Sequence, residues 1–234
     1  MPYAGPGGYT CAMHANSRPV SSSQTDVHHQ LAALVAKHAA STFRKPVMPY
    51  NKAAFDASLD AWQAAGAPPL ILDTGCGVGL STMHLATQFR DHFVIGVDQS
   101  EHRLSRNTAW SGDRPANCIR VRADLVDYWR LLEAAGIRLA RHYLLYPNPW
   151  PKIGQLARRW HGHPVFPSVV ALGGYIECRS NWRIYVEECA QALTQLGGRP
   201  VQCERYVTDA PITPFEQKYL ASGHTLWRCA TQLA

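Results

Sequence analysis

The sequence of 234 residues lacks the patterns of secreted and membrane-embedded proteins. Its seven cysteines include no C-x-x-C pair, and an odd count favours reduced thiols over a disulfide framework. No apolar run approaches the length of a membrane span, and the first residues do not combine a basic start with an apolar stretch, as a secretory signal would. The sequence also contains no internal repeat. These absences predict a cytoplasmic protein that spans no membrane.

The composition is that of one large domain with a short tail. Apolar residues make up 46% of the chain, enough for one substantial core. Residues 1–23 are rich in glycine, proline and serine and show no apolar periodicity. We therefore expect a disordered tail over residues 1–23 and a single domain over residues 24–234.

Positive charge is in moderate excess. The formal net charge is +6, and eleven histidines could add to it beside anions. This balance suits a polyanionic partner such as RNA, although many cytosolic proteins are equally basic. The charge does not distinguish a monomer from a homodimer.

Two helices are predicted before any strand. Leu31, Leu34, Val35 and His38 recur at helical spacing, which indicates a helix from about residue 25 to residue 40. Asn51 can cap a second helix that ends before Gly66. The period then changes, and short apolar runs of strand type begin.

The rest of the chain alternates between strands and helices. Apolar runs at 70–72, 93–97, 118–121 and 143–146 alternate with helical patterns at 80–90, 100–110 and 127–135. Further strands are predicted at 175–179, 200–207 and 225–231, with a helix over 182–194. This alternation predicts an α/β fold with a doubly wound, mostly parallel sheet, preceded by N-terminal helices.

A glycine-rich loop follows the first predicted strand. Gly75, Gly77 and Gly79 allow a tight turn and a close approach of the backbone to a ligand. Ligands of such sheets bind beyond the carboxyl ends of the strands. The G-x-G-x-G spacing is shorter than the G-x-G-x-x-G of dinucleotide folds, which accommodates a pyrophosphate. The loop alone could be a plain tight turn.

Acidic residues at the ends of the next strands favour a cofactor site. Asp98 ends the second strand, where a carboxylate can accept both hydroxyls of a ribose, and Asp124 follows the third strand at the expected adenine end. Together with Asp73 before the glycine loop, they predict a site for S-adenosylmethionine. NAD is the main alternative.

Four ordered segments resemble motifs of the bacterial tRNA (guanine-N7)-methyltransferases, over residues 67 to 228. The strongest is YPNPWPK at 146–152, which resembles F-P-D-P-W-P-K. GG at 173–174 and SNWRIY at 180–185 are similar to G-G and T-D-W-x-x-Y. TPFEQKY at 213–219, with Gly223, resembles T-x-F/Y-E-x-K-F and a later glycine.

The resemblance implies a class I S-adenosylmethionine-dependent methyltransferase, with a Rossmann-like fold, that modifies tRNA. By position, the cofactor would be lined by Asp73, Asp98, Asp124 and Asn148. The guanosine would face Lys152, Asn181 and residues 213–216, including Thr213 and Glu216.

The expected chemistry requires alignment more than proton transfer. Guanine N7 has an in-plane lone pair and no hydrogen, so no base must act before attack. Asn148 is therefore expected to orient the reactants, and Glu216 is the acidic candidate for stabilising the positive charge that develops on the base. The alternative is that Thr213, Pro214 and Glu216 only start a helix, as N-cap, N1 and N3.

Two departures from the family motifs leave the acceptor open. Asn148 and Asn181 stand where the family has aspartates, and the basic run after P-W-P-K is thinned. N-methylation of another RNA base or of a small nitrogen heterocycle is therefore an alternative. A catalytically silent RNA-binding or cofactor-sensing protein is a third hypothesis.

Several cations could form a basic rim beside the site. Lys152, Arg158 and Arg159, joined by Arg179 and Arg183, could contact RNA phosphates, and a solvated charged loop is the alternative. The histidines at 161 and 163 have no further ligand cluster nearby, so we predict no metal site.

Overall fold

The computed structural model describes residues 16–106, 110 and 113–234. Most of the predicted tail, residues 1–15, lies outside the described residues. Within residues 16–23, two side-chain or backbone groups contact the domain. The Ser22 hydroxyl donates to the Pro151 carbonyl (2.5 Å), and the Ser17 amide donates to the Ser222 hydroxyl (3.1 Å).

A seven-stranded sheet in the order β3-β2-β1-β4-β5-β7-β6 forms the centre of the described chain. Its strands are β1 (Leu70–Thr74), β2 (Phe93–Asp98), β3 (Cys118–Arg122), β4 (Arg141–Leu145), β5 (Gly174–Ser180), β6 (Glu204–Tyr206) and β7 (Leu226–Leu233). Strands β1 to β5 pair in parallel, whereas β7 is antiparallel to both β5 and β6. The strand order reverses between β1 and β4, which places the switch point of the sheet there. The predicted doubly wound, mostly parallel sheet is confirmed.

Helices cover the sheet. They are α1 (Leu31–Ala39), α2 (Pro49–Ala64), α3 (Leu80–Gln88), α4 (Glu101–Leu104), α5 (Leu125–Ala134), α6 (Phe166–Ala171), α7 (Arg183–Gly197) and α8 (Pro214–Ala221), with short 3-10 turns at Ile153–Arg158 and Trp160–Gly162. The turns and α6 occupy a stretch in which the sequence predicts no element. Within the described residues, no helix is both long and apolar enough to cross a membrane.

The core has two parts because successive strand residues point to opposite faces. Leu70 and Leu72 of β1 pack in a cluster that includes residues of α1, α2, α5 and α7. Ile71, between them, packs in a second cluster with Leu85 of α3. Every residue of β1 and β2 is buried, as expected for central parallel strands with helices on both faces.

The two N-terminal helices begin at residues other than those predicted. Helix α1 begins at Leu31 and not near residue 25, because Gln24 and the His28 amide bind the Glu188 carboxylate (2.7 and 3.0 Å). Helix α2 begins at Pro49, so Asn51 lies inside it and does not cap it. The buried Asn51 side chain instead contacts the loop after β3.

Candidate cofactor and acceptor site

A cleft opens at the carboxyl ends of the parallel strands, beside the switch point; we call it the strand-end cleft. Its lining includes Thr74 at the end of β1, Asp98 at the end of β2, Asp124 after β3 and Asn148 after β4. Phe215 of α8 lines the same cleft and is 46% exposed. Four predicted positions, Gly75, Asp98, Asp124 and Asn148, are thus brought together from four parts of the chain.

Gly75 of the glycine loop lines this cleft, and Gly77 lines a pocket beside it. Gly75 and Gly77 have positive φ angles of 72° and 58°, which an L side chain would strain. A Cβ added at either glycine would meet no atom within 4 Å, so both face open space. The Gly75 and Cys76 amides donate to the Val97 carbonyl (2.8 and 3.1 Å), which ties the loop to β2. The loop therefore leaves room for a ligand against its backbone.

Asp98 is held rigidly at the edge of the cleft. One carboxylate oxygen accepts from the Gly77 amide (2.9 Å) and the other from the Ser100 amide (2.8 Å). The Arg103 guanidinium lies 3.8 Å from the carboxylate. A carboxylate has about four lone-pair sites, so these contacts leave acceptor capacity for ligand hydroxyls.

Asp124 begins α5 at the other end of the cleft. Its carboxylate caps the helix by accepting from the Val126 amide (2.9 Å), and Lys45 lies 3.5 Å away. The backbone amide of Asp124 donates to Asn51 (3.0 Å), whose own amide donates to Asp127 (2.6 Å). Helix α2 therefore braces this end of the cleft, a role that the sequence did not reveal.

Asp73 is a buried residue near the end of β1, directly before the glycine loop. It is not among the residues that line the cleft, because its carboxylate is buried and accepts from the Ser81 and Thr82 hydroxyls (both 2.7 Å). Burial raises the pKa of Asp73 to about 6, although both hydroxyl bonds act to lower it. Both hydroxyls bind Oδ2, which gives this residue a positioning role between β1 and α3, and its direct contact with the cofactor stays a prediction.

The loop after β4 has an unusual backbone. Tyr146 and Trp150 have positive φ angles of 53° and 45°, a conformation that costs free energy in residues other than glycine. Asn148, between them, is exposed at the cleft, and its carbonyl oxygen accepts from the Trp150 amide at 3.4 Å. Such strain persists only where surrounding contacts hold the chain.

Glu216 is fully buried and does not line the cleft, which corrects the expectation that its charge meets the acceptor. Its carboxylate accepts from the Tyr146 hydroxyl (2.7 Å), from Arg179 (3.0 Å) and from the Ile212 amide (2.7 Å). Burial and then the charge of Glu216 raise the pKa of Tyr146, so this phenol stays neutral. Because α8 begins with this side chain turned inward, Glu216 positions Tyr146 at the end of β4.

Thr213 caps α8 as the helix-start alternative predicts. Its hydroxyl accepts from the Glu216 amide (2.9 Å), but the Glu216 carboxylate returns to the Ile212 amide and not to that of Thr213. Thr213 also lines a smaller pocket that adjoins the glycine loop, together with Arg103 and Phe215.

We expect Thr213→Ala to lower the free energy of unfolding by about 1 kcal/mol, because the capped amide loses its acceptor. Thr213→Ser keeps the hydroxyl and is expected to retain most of that stability. Urea denaturation of the three proteins measures the difference. Equal stability of Thr213→Ala and the parent would contradict a capping role.

Two of the five predicted rim cations are internal. Arg159 is fully buried and pairs with Glu188 (2.6 Å), and Arg179 pairs with Glu177 (2.5 Å) as well as with Glu216. Both side chains are therefore inaccessible to RNA phosphates. The prediction that Arg159 contacts the substrate is wrong, because Arg159 forms a structural ion pair inside the protein. Lys152, Arg158 and Arg183 are exposed.

Asn181 and His161 also have partners inside the protein. Asn181 pairs with the His224 ring (3.0 Å), which stacks on Tyr219, and it is not among the residues lining the strand-end cleft. His161 is buried and contacts Glu188 (2.8 Å). In the described ranges, no group of His, Cys, Asp and Glu side chains could hold a metal ion.

Comparison with known proteins gives consistent results for sequence and fold. Residues 67–229 match the Methyltransf_4 family model, described as "Putative methyltransferase". A tRNA (guanine-N(7)-)-methyltransferase of Acidovorax sp. is 29% identical over 73% of this chain and 71% of its own length. One from Bordetella parapertussis is 31% identical over 68% of this chain. That alignment spans 65% of the Bordetella protein, slightly less than two thirds.

Solved structures share the fold at low identity. An antibiotic-related methyltransferase matches with a TM-score of 0.54 and 16% identity, covering 84% of this chain and 98% of that structure. A 16S rRNA (adenine(1408)-N(1))-methyltransferase variant from Catenulisporales acidiphilia, solved with S-adenosylmethionine, matches with a TM-score of 0.51 and 19% identity. It covers 75% of this chain and 91% of that structure. The predicted class I methyltransferase fold is confirmed.

Proposed function

Since the chain belongs to the Methyltransf_4 family of methyltransferases, we propose that it transfers the methyl group of S-adenosylmethionine to guanine N7 in tRNA. The observation that carries this proposal is the strand-end cleft, which Asp98, Asp124 and Asn148 line together with Gly75 of the glycine loop. A tRNA acceptor is consistent with a cytoplasmic enzyme. We further propose that residues 24–234 act as one domain.

The cofactor would lie along the carboxyl ends of the strands. Asp98 would accept the ribose hydroxyls, Asp124 would meet the adenine end, and the backbone at Gly75 and Gly77 would pass close to the methionine part. When bound, S-adenosylmethionine supplies an electrophilic methyl group. The glycine loop and Asp98 fix its position before an acceptor enters.

The acceptor would approach from the side of Asn148. Guanine N7 needs no proton removed, so a neutral amide that orients the base is sufficient at this position. Alignment of reacting groups can contribute roughly 7–11 kcal/mol to lowering a barrier. Tyr146 and, behind it, Glu216 would hold the start of this loop, and Lys152 would lie at its outer end.

The test is incubation of the purified protein with methyl-labelled S-adenosylmethionine and total tRNA, followed by nucleoside analysis. Label in 7-methylguanosine supports the proposal. Label in another nucleoside, or only in small molecules, identifies a different acceptor. Absence of label from every acceptor supports a silent RNA-binding or cofactor-sensing role. The Asp98→Ala variant, in the same reaction, controls for a contaminating methyltransferase.

A second candidate function is N-methylation of another RNA base or of a small nitrogen heterocycle. The specific observation in favour of a small acceptor is that Arg159 and Arg179 form buried ion pairs. The exposed part of the predicted rim is thereby reduced to Lys152, Arg158 and Arg183, of which Arg183 pairs with Glu187 (2.8 Å). With fewer exposed cations in the predicted rim, an extended contact with RNA phosphates is less well supported.

We expect Arg158→Ala to weaken tRNA binding a few-fold and to reduce the salt slope by about 0.7–0.9, since one phosphate contact fewer releases fewer counterions. The guanidinium of Arg158 lies over the Trp150 ring (4.9 Å) beside the cleft. Arg90→Ala is the matched control, because Arg90 is exposed just before β2, at the opposite edge of the sheet. Filter binding at several salt concentrations measures both quantities. Identical slopes for Arg158→Ala and the parent would mean that this side chain contacts no phosphate.

A further inference from the structure

A buried polar cluster joins the N-terminal segment to the domain. The Glu188 side chain of α7 is fully buried and is bound by four groups. They are the Gln24 amide (2.7 Å), the His28 backbone N-H (3.0 Å), the Arg159 guanidinium (2.6 Å) and the His161 ring (2.8 Å). Gln24 and His28 precede α1 and lie outside the part of the chain that matches the family model, residues 67–229.

The charges of this cluster balance. Burial alone would raise the pKa of Glu188, but the hydrogen bonds from His161 and Arg159 and the positive charge of Arg159 outweigh it and lower the pKa to about 2. Burial lowers the pKa of His161, so the ring is neutral and donates through Nε2. One negative and one positive charge remain, and each depends on the other because an unpaired buried charge is strongly destabilising.

The same cluster reaches the loop that carries Asn148. Arg159 donates to the Trp150 carbonyl (3.2 Å) and to the Lys152 carbonyl (3.5 Å). The carbonyl between them, of Pro151, accepts from the Ser22 hydroxyl (2.5 Å). Three consecutive carbonyl groups, starting two residues after Asn148, are therefore held by Arg159 and by the N-terminal segment.

Gln24 binds both charged residues of this cluster, Glu188 and Arg159. Its amide nitrogen donates to Glu188, and its carbonyl oxygen accepts from Arg159 (2.9 Å). Gln24 thus fixes both members of the ion pair, including the guanidinium that holds the loop. The positive φ angles at Tyr146 and Trp150 show why the loop needs such contacts, because strained backbone relaxes when its surroundings loosen.

We propose that residues 22–28, which we call the N-terminal strap, are a positioning element for the loop that carries Asn148, with Gln24 as its central positioning residue. The strap would keep Asn148 aligned with the acceptor without touching it. This inference rests on the proposed methyl transfer. It assigns a role in acceptor alignment to a segment that precedes the residues matched by the family model.

The test compares Gln24→Met with Gln195→Met. Methionine keeps most of the glutamine volume but removes all three hydrogen bonds of the side-chain amide, to Glu188, to Arg159 and to the Asp26 carbonyl (2.7 Å). Gln195 is a matched control, because its amide ties α7 to the Ala32 carbonyl (3.0 Å), an exposed contact that does not involve the loop. We expect Gln24→Met to lower kcat about tenfold, as misalignment of reacting groups lowers the rate, with the dissociation constant for S-adenosylmethionine within about twofold of the parent. Gln195→Met should match the parent in both.

A second readout follows the loop itself. In Gln24→Met, hydrogen exchange should become faster in peptides covering residues 147–158, while peptides covering the glycine loop at 74–79 stay unchanged. Ser22→Ala removes the contact to Pro151 and the acceptor of the Gln24 backbone amide (3.0 Å), but it leaves the Gln24 side chain in place. It should show a smaller change of the same kind, and it serves as the variant if Gln24→Met does not fold.

Each outcome has a defined meaning. Faster loop exchange with a lower kcat and unchanged cofactor binding supports the strap. Unchanged kcat, or exchange that rises equally in the loop and in the glycine loop, overturns it. If the parent methylates no acceptor, the proposed function fails, whereas the exchange measurement still shows whether the strap holds the loop.

Discussion

Asp98→Ala is expected to raise the dissociation constant for S-adenosylmethionine by at least about a hundredfold. Two ribose hydroxyls bound to a carboxylate form hydrogen bonds worth roughly 1.5–3 kcal/mol each, and about 1.4 kcal/mol corresponds to a factor of ten. The variant also removes the acceptor of the Gly77 amide (2.9 Å), which would loosen the glycine loop and add to the loss. Isothermal titration calorimetry measures the effect directly.

The matched control for this variant is Asp91→Ala. Asp91 precedes β2, at the opposite end of the strand that Asp98 ends, and its side chain is 83% exposed. Its removal should leave cofactor binding unchanged. Asp98→Asn adds a finer comparison, because the amide keeps one acceptor oxygen and loses the charge. A dissociation constant for Asp98→Ala equal to that of the parent would remove this residue from the ribose site and would weaken the proposed cofactor arrangement.

The sequence was sufficient to predict the parts of the site that depend on local order. Asp98 and Asp124 come directly after apolar strands, and parallel strands bring their carboxyl ends to one edge of the sheet. The glycine loop could be recognised for the same reason, since the positive φ angles at Gly75 and Gly77 are a property of the loop itself. The fold class and the cleft follow from these local patterns.

The direction in which a side chain points could not be predicted in the same way. Asp73 also ends an apolar run, yet it turns to the hydroxyls of α3 and not to the cleft. Arg158 and Arg159 are adjacent and chemically identical, and one is exposed whereas the other is buried against Glu188. The partner that decides between them is 29 residues away along the chain, beyond any local pattern.

Motif resemblance had the same limit at Glu216. The resemblance identified an important carboxylate, but its role depends on which groups surround it. In the structure, Arg179 arrives from β5 and Tyr146 from the end of β4, so the charge is neutralised inside the protein. Likewise, the local sequence predicted Asn51 as a helix cap. Its contacts with Asp124 and Asp127 depend on how the chain folds, so the sequence alone could not reveal them.

Asn148→Ala is expected to lower the rate of methyl transfer by about one to three orders of magnitude. Loss of one to a few kcal/mol of positioning corresponds to that range. The fold should survive, because Asn148 follows β4 and is exposed at the cleft. Single-turnover rates on tRNA with saturating S-adenosylmethionine measure the chemical step, and cofactor affinity measured in parallel separates alignment of the acceptor from binding of the cofactor.

Asn148→Asp is the sharper variant, because it separates the two acceptors under consideration. An amide can donate through its NH2 group and accept through its oxygen, whereas an ionised carboxylate can only accept. If the acceptor is guanine N7, no proton leaves before attack, and the aspartate variant should stay active and can gain by stabilising the positive charge that develops on the base. If the acceptor needs the NH2 group as a donor, Asn148→Asp should lose as much activity as Asn148→Ala. Equal rates for the parent and both variants would show that Asn148 does not contact the reactants, and the loop held by the strap would then have no role in methyl transfer.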